Sequence, residues 1–240
     1  MNLPVSGPLR VWLLALLALW AILLFGGFIF GSLDAAQSQR IPTWMRIASS
    51  AVLVVAAWSW WLAGVQDKGV ALLIAIGMTL GFFGDLFMAG LLPASPRVLW
   101  GMGAFGLGHV AYIAAFMRLA QVLGLTASQP RWLAWLFWLL IGAVAWYFVV
   151  FRGQQASVLH WAALPYALLL ASTTGLATGL ALQARTFIPL ALGGALFLTS
   201  DLILAAQLFN GLSFFLIGSI IWLTYGPAQA LIVTAAQKHP

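Results

Sequence analysis

Residues 69–91 read GVALLIAIGMTLGFFGDLFMAGL, an apolar run with one charged side chain, Asp85. An α-helix rises about 1.5 Å per residue, so a run of this length can cross a hydrocarbon core about 30 Å thick. The run therefore predicts a transmembrane helix. It also leaves Asp85 to be explained, because an ionisable group inside such a helix is costly and is by default a candidate functional residue.

The rest of the chain repeats this pattern, with apolar runs separated by charged, polar or proline-containing breaks. Eight spans are predicted, over residues 11–30, 47–64, 69–91, 98–119, 132–151, 158–182, 187–209 and 212–235. No loop between them is long enough for a separate soluble domain. We therefore predict an all-α, polytopic transmembrane helical bundle in which residues 1–240 form a single integral membrane domain.

Composition excludes a soluble enzyme. Only 6% of the 240 residues are charged and 64% are hydrophobic, whereas about one quarter of an average soluble domain is charged. The absence of cysteine excludes disulfide frameworks, thiolate zinc sites and cysteine nucleophiles. The ten cations are scattered singly and form no basic patch, so the expected partner is a lipid bilayer and not a nucleic acid.

The distribution of cations predicts an orientation. One side of the predicted bundle carries Arg10, Lys68, Arg118, Arg131, Arg185 and Lys238, and the other carries Arg40, Arg46, Arg97 and Arg152. Lys and Arg are enriched on the cytoplasmic side of membrane proteins. We therefore expect a multi-pass protein of the cell (inner) membrane with both termini in the cytoplasm. Trp44, Trp100, Trp132 and Trp161 lie near predicted span ends and are expected to act as interfacial anchors.

The four carboxylates fall into two groups. Asp34 and Asp67 lie in predicted loops, where solvated surface charge is expected, but Asp85 and Asp201 lie inside the third and seventh spans. An Asp at the centre of a span costs about 2.5–3.5 kcal/mol on insertion scales. Odd-numbered spans run in the same direction, and both residues lie roughly 21–24 Å from the same face. The two carboxylates could therefore meet if the third and seventh helices are neighbours. Catalysis, ion translocation and separate hydrogen bonding of each Asp remain open.

Further polar residues accompany the pair. His109 and Tyr112 share one face of the fourth span, and Tyr225 and Gln229 share one face of the eighth. Each is either a catalytic or substrate contact or a satisfied interior group. Tyr166 lies on a sixth span rich in Ser and Thr, whose hydroxyls are expected to bond to their own helix backbone. A zinc hydrolase needs about three His or carboxylate ligands, and His109 is the only interior histidine, so no metal or other cofactor is expected.

Four motifs together resemble the YhhN-type lysoplasmalogenase family of multispanning membrane proteins. They are Gly84-Asp85 in an apolar helix, GMGAFGLGHVAY at 101–112, LTSD at 198–201 and YGPAQALI at 225–232, in the family's order and covering roughly residues 69–233. The first third is less similar, since Trp44-Met45-Arg46 stands where the family has a Lys-Pro-like entry to the second helix.

The resemblance implies hydrolysis of the vinyl ether of a lysophospholipid substrate, a lysoplasmalogen, to a fatty aldehyde and glycerophospho-ethanolamine or -choline. It also implies that Asp85 and Asp201 are the catalytic residues. Candidates for binding or orienting substrate and water are His109, Tyr112, Tyr166, Ser200, Tyr225 and Gln229. The alternatives are a proton-coupled transporter or channel that uses the same Asp pair, which broken helices would favour, and a noncatalytic lipid-binding protein. The natural headgroup and the oligomeric state are left open.

Overall fold

The computed structural model describes residues 7–64, 67–152 and 157–235. Within these ranges it contains eight helices long and apolar enough to cross a membrane, and no strand. They are α1 Gly7–Phe30, α2 Thr43–Ala63, α3 Lys68–Met88, α4 Arg97–Val122, α5 Ser128–Phe151, α6 Val158–Gln183, α7 Arg185–Asn210 and α8 Ile217–Ala235. The all-α fold class and all eight predicted spans are confirmed, which makes the chain a multi-pass membrane protein.

The starts of α1, α2 and α5 lie four residues before the predicted ones, and the start of α8 lies five residues after it. Helix α2 begins at Thr43, directly after Pro42, and not at residue 47. The predicted apolar run starts after the charged Arg46, but the helix includes this residue. Helix α8 begins at Ile217 and not at residue 212. Leu216 has a positive φ of 62°, and its N–H donates to the Gln37 carbonyl at 2.9 Å, so residues 212–216 join a loop and not the helix.

Local chemistry explains where several helices start and stop. The Asp67 carboxylate accepts a hydrogen bond from the Val70 N–H at 2.9 Å and caps the N-terminus of α3, satisfying one of its free donors. Ser157 and His160 form a reciprocal capping box at the start of α6. Helix α7 ends at Gly211, whose φ of 65° is the left-handed conformation common at helix C-termini.

The order of packing places a cavity inside the bundle. Consecutive pairs α2–α3, α3–α4, α6–α7 and α7–α8 are in contact, α4 packs on α6, and α8 returns to contact α2 and α3. These six helices form a closed ring. Helix α1 lies outside the ring against α2 and α8, and α5 lies outside against α6 and α7.

The outer surface is apolar, as a lipid-facing surface must be. Helix α5 is the least buried of the eight and α8 the most, which agrees with their positions outside the ring and within it. The proposed anchor residues Trp44, Trp100, Trp132 and Trp161 are all exposed. Their height relative to the headgroups stays a prediction.

Two ends of the bundle are used as references below. The upper face is formed by residues 31–42, 89–96 and 211–216, and the lower face by residues 64, 67 and 123–127. The ranges alternate along the chain, because each helix crosses the bundle once.

Candidate active site at the centre of the bundle

A cavity of about 400 Å³ lies between the helices of the ring and α5 and reaches the upper face. Side chains from α2 to α8 contribute to its walls, together with Gln39 and Ala89 from the loops of the upper face. Asp85 and Asp201 both line it. The structure thus brings the two intramembrane carboxylates of the sequence into one cavity.

The two helices that carry the carboxylates are not packed along each other. Helix α8 lies between α3 and α7 and contacts both. The cavity, and not a direct α3–α7 contact, is therefore what brings the pair together.

Asp85 is held by hydroxyl groups from two other helices. Its side chain, 4% exposed, accepts hydrogen bonds at Oδ2 from the Ser50 hydroxyl of α2 and from the Tyr225 hydroxyl of α8, the latter at 3.0 Å. Gly84, beside Asp85, allows α3 to approach α4 closely, because a Cβ at that position would lie 2.7 Å from the Phe105 ring. Three helices therefore fix the position of one carboxylate.

Asp201 has a simpler environment. Its Oδ2 accepts a hydrogen bond from the Tyr166 hydroxyl of α6, and its side chain is partly exposed, unlike that of Asp85. The neighbouring Ser200 hydroxyl donates to the Ile221 carbonyl of α8 at 3.2 Å. A small residue beside Asp201 thus permits close contact between α7 and α8.

A chain of buried hydrogen bonds connects Asp85 on α3 to Tyr112 on α4 through two side chains of α8. The Tyr112 hydroxyl donates to Gln229 Oε1 at 2.8 Å, and Gln229 Nε2 donates to the Tyr225 hydroxyl at 3.2 Å. Tyr225 in turn donates to Asp85. All members are buried. The Tyr225 hydroxyl accepts a hydrogen bond from Gln229 Nε2 and donates one to Asp85. The network therefore holds the Tyr225 hydroxyl oriented toward the carboxylate.

The six candidates for binding or orienting substrate and water fall into two groups. Tyr166, Ser200 and Tyr225 line the cavity. His109, Tyr112 and Gln229 are buried behind its wall and are not among the lining side chains. Their roles stay predictions, and for the second group the arrangement allows an orienting role through neighbours and not a direct contact.

His109 packs within an aromatic cluster. Its ring centroid lies 4.7 Å from that of Phe197 and 5.9 Å from that of Tyr166. Nδ1 is 3.1 Å from the Thr173 hydroxyl, and within the described residues the buried Nε2 has no hydrogen-bond partner. The α6 hydroxyls behave as predicted, since Thr173 and Thr174 donate to the backbone carbonyls four residues earlier.

Sequence reasoning missed two residues of the site: Ser50, which donates to Asp85, and Arg46, which lines the cavity. Ser50 was one of many small polar residues in an apolar span, and nothing in its own span singles it out. Arg46 was interpreted as a topological cation and as part of the altered entry to the second helix, and not as a cavity residue, yet it lines the cavity.

The other two acids are outside the spans, as predicted. Asp34 is exposed, and hydrogen bonds led by that from the Ser38 hydroxyl lower its pKa. Asp67 pairs with Arg118, whose hydrogen bond is the main cause that lowers the pKa of Asp67 to about 2. Both stay ionised at neutral pH. Asp34 stabilises its loop through the hydrogen bond from Ser38, and Asp67 caps the start of α3.

The described part of the chain contains no cluster of three His, Asp or Glu side chains that could hold a metal ion. The functional groups gathered at the cavity are two carboxylates, three hydroxyl donors from Ser50, Tyr166 and Tyr225, and the guanidinium of Arg46. The arrangement can supply an acid and a base and can stabilise charge within an apolar surrounding.

The fold and the cavity define a polytopic helical membrane protein with a central two-carboxylate site. A family model covers residues 42–236, and the chain belongs to the YhhN family. The match includes both carboxylates and extends to α2, where the sequence motifs had been weakest. Comparison with curated proteins and with solved structures gave no match.

Proposed function

We propose that this protein is a membrane-embedded hydrolase that cleaves the vinyl ether bond of lysoplasmalogens. The observation that carries the proposal is the shared cavity of Asp85 and Asp201. Membership of the YhhN family is consistent with this activity. The cavity volume of about 400 Å³ is within the range of small-molecule sites.

The reaction begins with protonation of the outer vinyl carbon by a protonated carboxyl group, which converts the enol ether into an oxocarbenium ion. The ionised partner stabilises this cation and removes a proton from the water that adds to it. The hemiacetal then transfers its hydroxyl proton to the ether oxygen as the C–O bond breaks. One water is consumed, the products are a fatty aldehyde and a free glycerol hydroxyl, and proton exchange between the two acids restores the site.

The hydrogen bonds suggest which acid has which role. A carboxylate that accepts more hydrogen bonds is better stabilised in its ionised form. Asp85 accepts from two hydroxyls and Asp201 from one. We therefore assign the base to Asp85 and the proton donor to Asp201.

The transporter alternative has less support. Within the described residues, α3 and α7 run as continuous helices through Asp85 and Asp201. The broken helices that the alternative leads one to expect at an ion site are absent at these two positions.

The test is aldehyde release from an alkenyl lysophospholipid by the purified protein and by Asp85→Asn and Asp201→Asn. Loss of a general acid or base costs typically 10²–10⁴-fold, so each variant is expected to lose at least about 100-fold in kcat. Asp67→Asn is the matched control, since it makes the same change at the lower face and should keep its turnover. Normal turnover in either cavity variant would refute the two-acid mechanism, and no aldehyde from the wild type would refute the function.

A further inference from the structure

The wall of the cavity contains one cation among its lining residues, Arg46 in the first turn of α2. Arg46 lies at the end of the cavity nearest the upper face, beside Gln39 and Thr43, which also line it. Helix α5 contributes only apolar lining residues, whereas the α6 and α7 parts of the wall also carry Tyr166, Ser200, Asp201 and Gln207. The cavity thus has a cationic end and an apolar side.

The guanidinium of Arg46 is only partly satisfied by the protein. Nη2 donates to the Thr43 hydroxyl at 2.8 Å, whereas the buried Nε has no hydrogen-bond partner within the described residues. Among all the described residues the only ion pair joins Arg118 and Asp67, so no described carboxylate lies within ion-pair distance of Arg46. Asp85 and Asp34 act on Arg46 only from beyond ion-pair distance, so the guanidinium keeps donor capacity that a bound anion would use.

The orientation of the group is fixed by an aromatic ring. The Arg46 guanidinium carbon lies 5.4 Å from the centroid of Trp222 on α8. Cation–π contact of this kind limits the freedom of the guanidinium, and Arg46 lines the cavity. Arginine binds phosphate oxygens through two parallel N–H groups, which makes it well suited to a phosphate ester.

The spacing to the carboxylates fits a glycerol phosphate. Arg46 and Ser50 are one helical turn apart on the same face of α2, a rise of about 6 Å, and Ser50 donates to Asp85. A three-carbon glycerol backbone separates the phosphate from the ether oxygen of a lysophospholipid by a comparable span. A phosphate at Arg46 would therefore place the ether bond at the level of Asp85.

We propose that Arg46 binds the phosphate of a lysophospholipid, with the headgroup toward the upper face and the hydrocarbon chain along the apolar wall formed by α5. This inference rests on the proposed function for the identity of the substrate. It adds a phosphate-recognition residue and a direction of entry.

A binding measurement with an uncleavable lipid tests this inference independently of the proposed reaction. Purified protein in detergent is titrated with a radiolabelled alkyl lysophosphocholine, whose saturated ether is not cleaved, and with the matching alkylglycerol, which has no phosphate. Losing one charge-assisted contact costs Arg46→Gln about tenfold to a hundredfold in affinity for the phospholipid. Its affinity for the alkylglycerol should equal that of the wild type. Arg97→Gln is the matched control, because Arg97 is an exposed cation at the same face that does not line the cavity.

Three results would overturn the proposal. One is equal affinity of Arg46→Gln and wild type for the lysophosphocholine. Another is an equal loss for both ligands, which would indicate a structural role. The third is displacement of the lipid by inorganic phosphate at similar concentration, which would indicate a site for the free ion. Binding that depends on Arg46 without any aldehyde release would support the headgroup site and refute only the proposed reaction.

Discussion

Asp85 and Asp201 differ in how tightly the protein holds them. Asp85 is fixed by Ser50 and Tyr225 and backed by the buried chain through Gln229 to Tyr112. Asp201 is held by Tyr166 alone among the described side chains and is partly exposed. A rigid carboxylate suits a group that must face a developing cation, whereas a less constrained acid can follow the carbon that it protonates.

The role of Tyr225 can be tested by removing its hydroxyl. Tyr225→Phe removes one donor to Asp85 and leaves Gln229 Nε2 without its acceptor, so we expect kcat to fall by about 10- to 100-fold with a smaller change in KM. Tyr147→Phe is the control, because Tyr147 is exposed on α5 and does not line the cavity. The measurement is steady-state aldehyde release, and an unchanged kcat in Tyr225→Phe would contradict the positioning role.

The packing of α3 on α4 depends on glycines. A Cβ on Gly108 would lie 3.0 Å from the Gly77 carbonyl oxygen, and one on Gly77 would lie 2.4 Å from the Tyr112 ring. The two helices therefore approach closely where glycine removes the side chain, as is common in membrane proteins. The same contact sets the position of Tyr112, the far end of the hydrogen-bond chain.

Gly77→Ala tests this packing. The added methyl group must displace the buried Tyr112 ring, so we expect a loss of about 1–3 kcal/mol in stability together with reduced turnover. Gly103→Ala is the control, because a Cβ there meets nothing within 4 Å on exposed α4 surface, and alanine is a better helix former. Thermal unfolding in detergent measures both. A Gly77→Ala protein as stable as the wild type would show that the ring can move without cost.

Much of the element-level picture could be predicted from the sequence, and the reason is physical. A bilayer demands about 20 apolar residues for each helix, which makes spans visible in the chain, and the cost of an intramembrane acid singled out Asp85 and Asp201. Which helices are neighbours could not be predicted, because apolar faces carry no partner information. Ser50 and Arg46 were missed for that reason: their importance comes from the proximity of α2 to α3 and α8.

At the scale of the whole molecule, the cavity gives the bundle two unlike ends. It reaches the upper face, whereas the lower face carries the Asp67–Arg118 pair. The count of cations predicts that the lower face is cytoplasmic. On that orientation the cavity opens on the side of the membrane away from the cytoplasm.

Cysteine labelling can test this orientation without a background, because the chain has no cysteine. Ala36→Cys places a thiol at the exposed upper face and Thr126→Cys at the exposed lower face. In intact cells a membrane-impermeant maleimide should label only residue 36, and residue 126 should react after permeabilisation. The reverse pattern would place the cavity opening in the cytoplasm.

The unlike walls of the cavity also bear on how a turnover would end. The proposed cleavage of a lysoplasmalogen would separate one amphipathic molecule into a water-soluble phosphate ester beside Arg46 and an apolar aldehyde beside α5. The two fragments would have opposite preferences, one for water beyond the upper face and one for hydrocarbon. Their departures would be separate events, so the site would be free for the next substrate only after the slower fragment had left. The lipid composition of the membrane would then be part of the catalytic cycle.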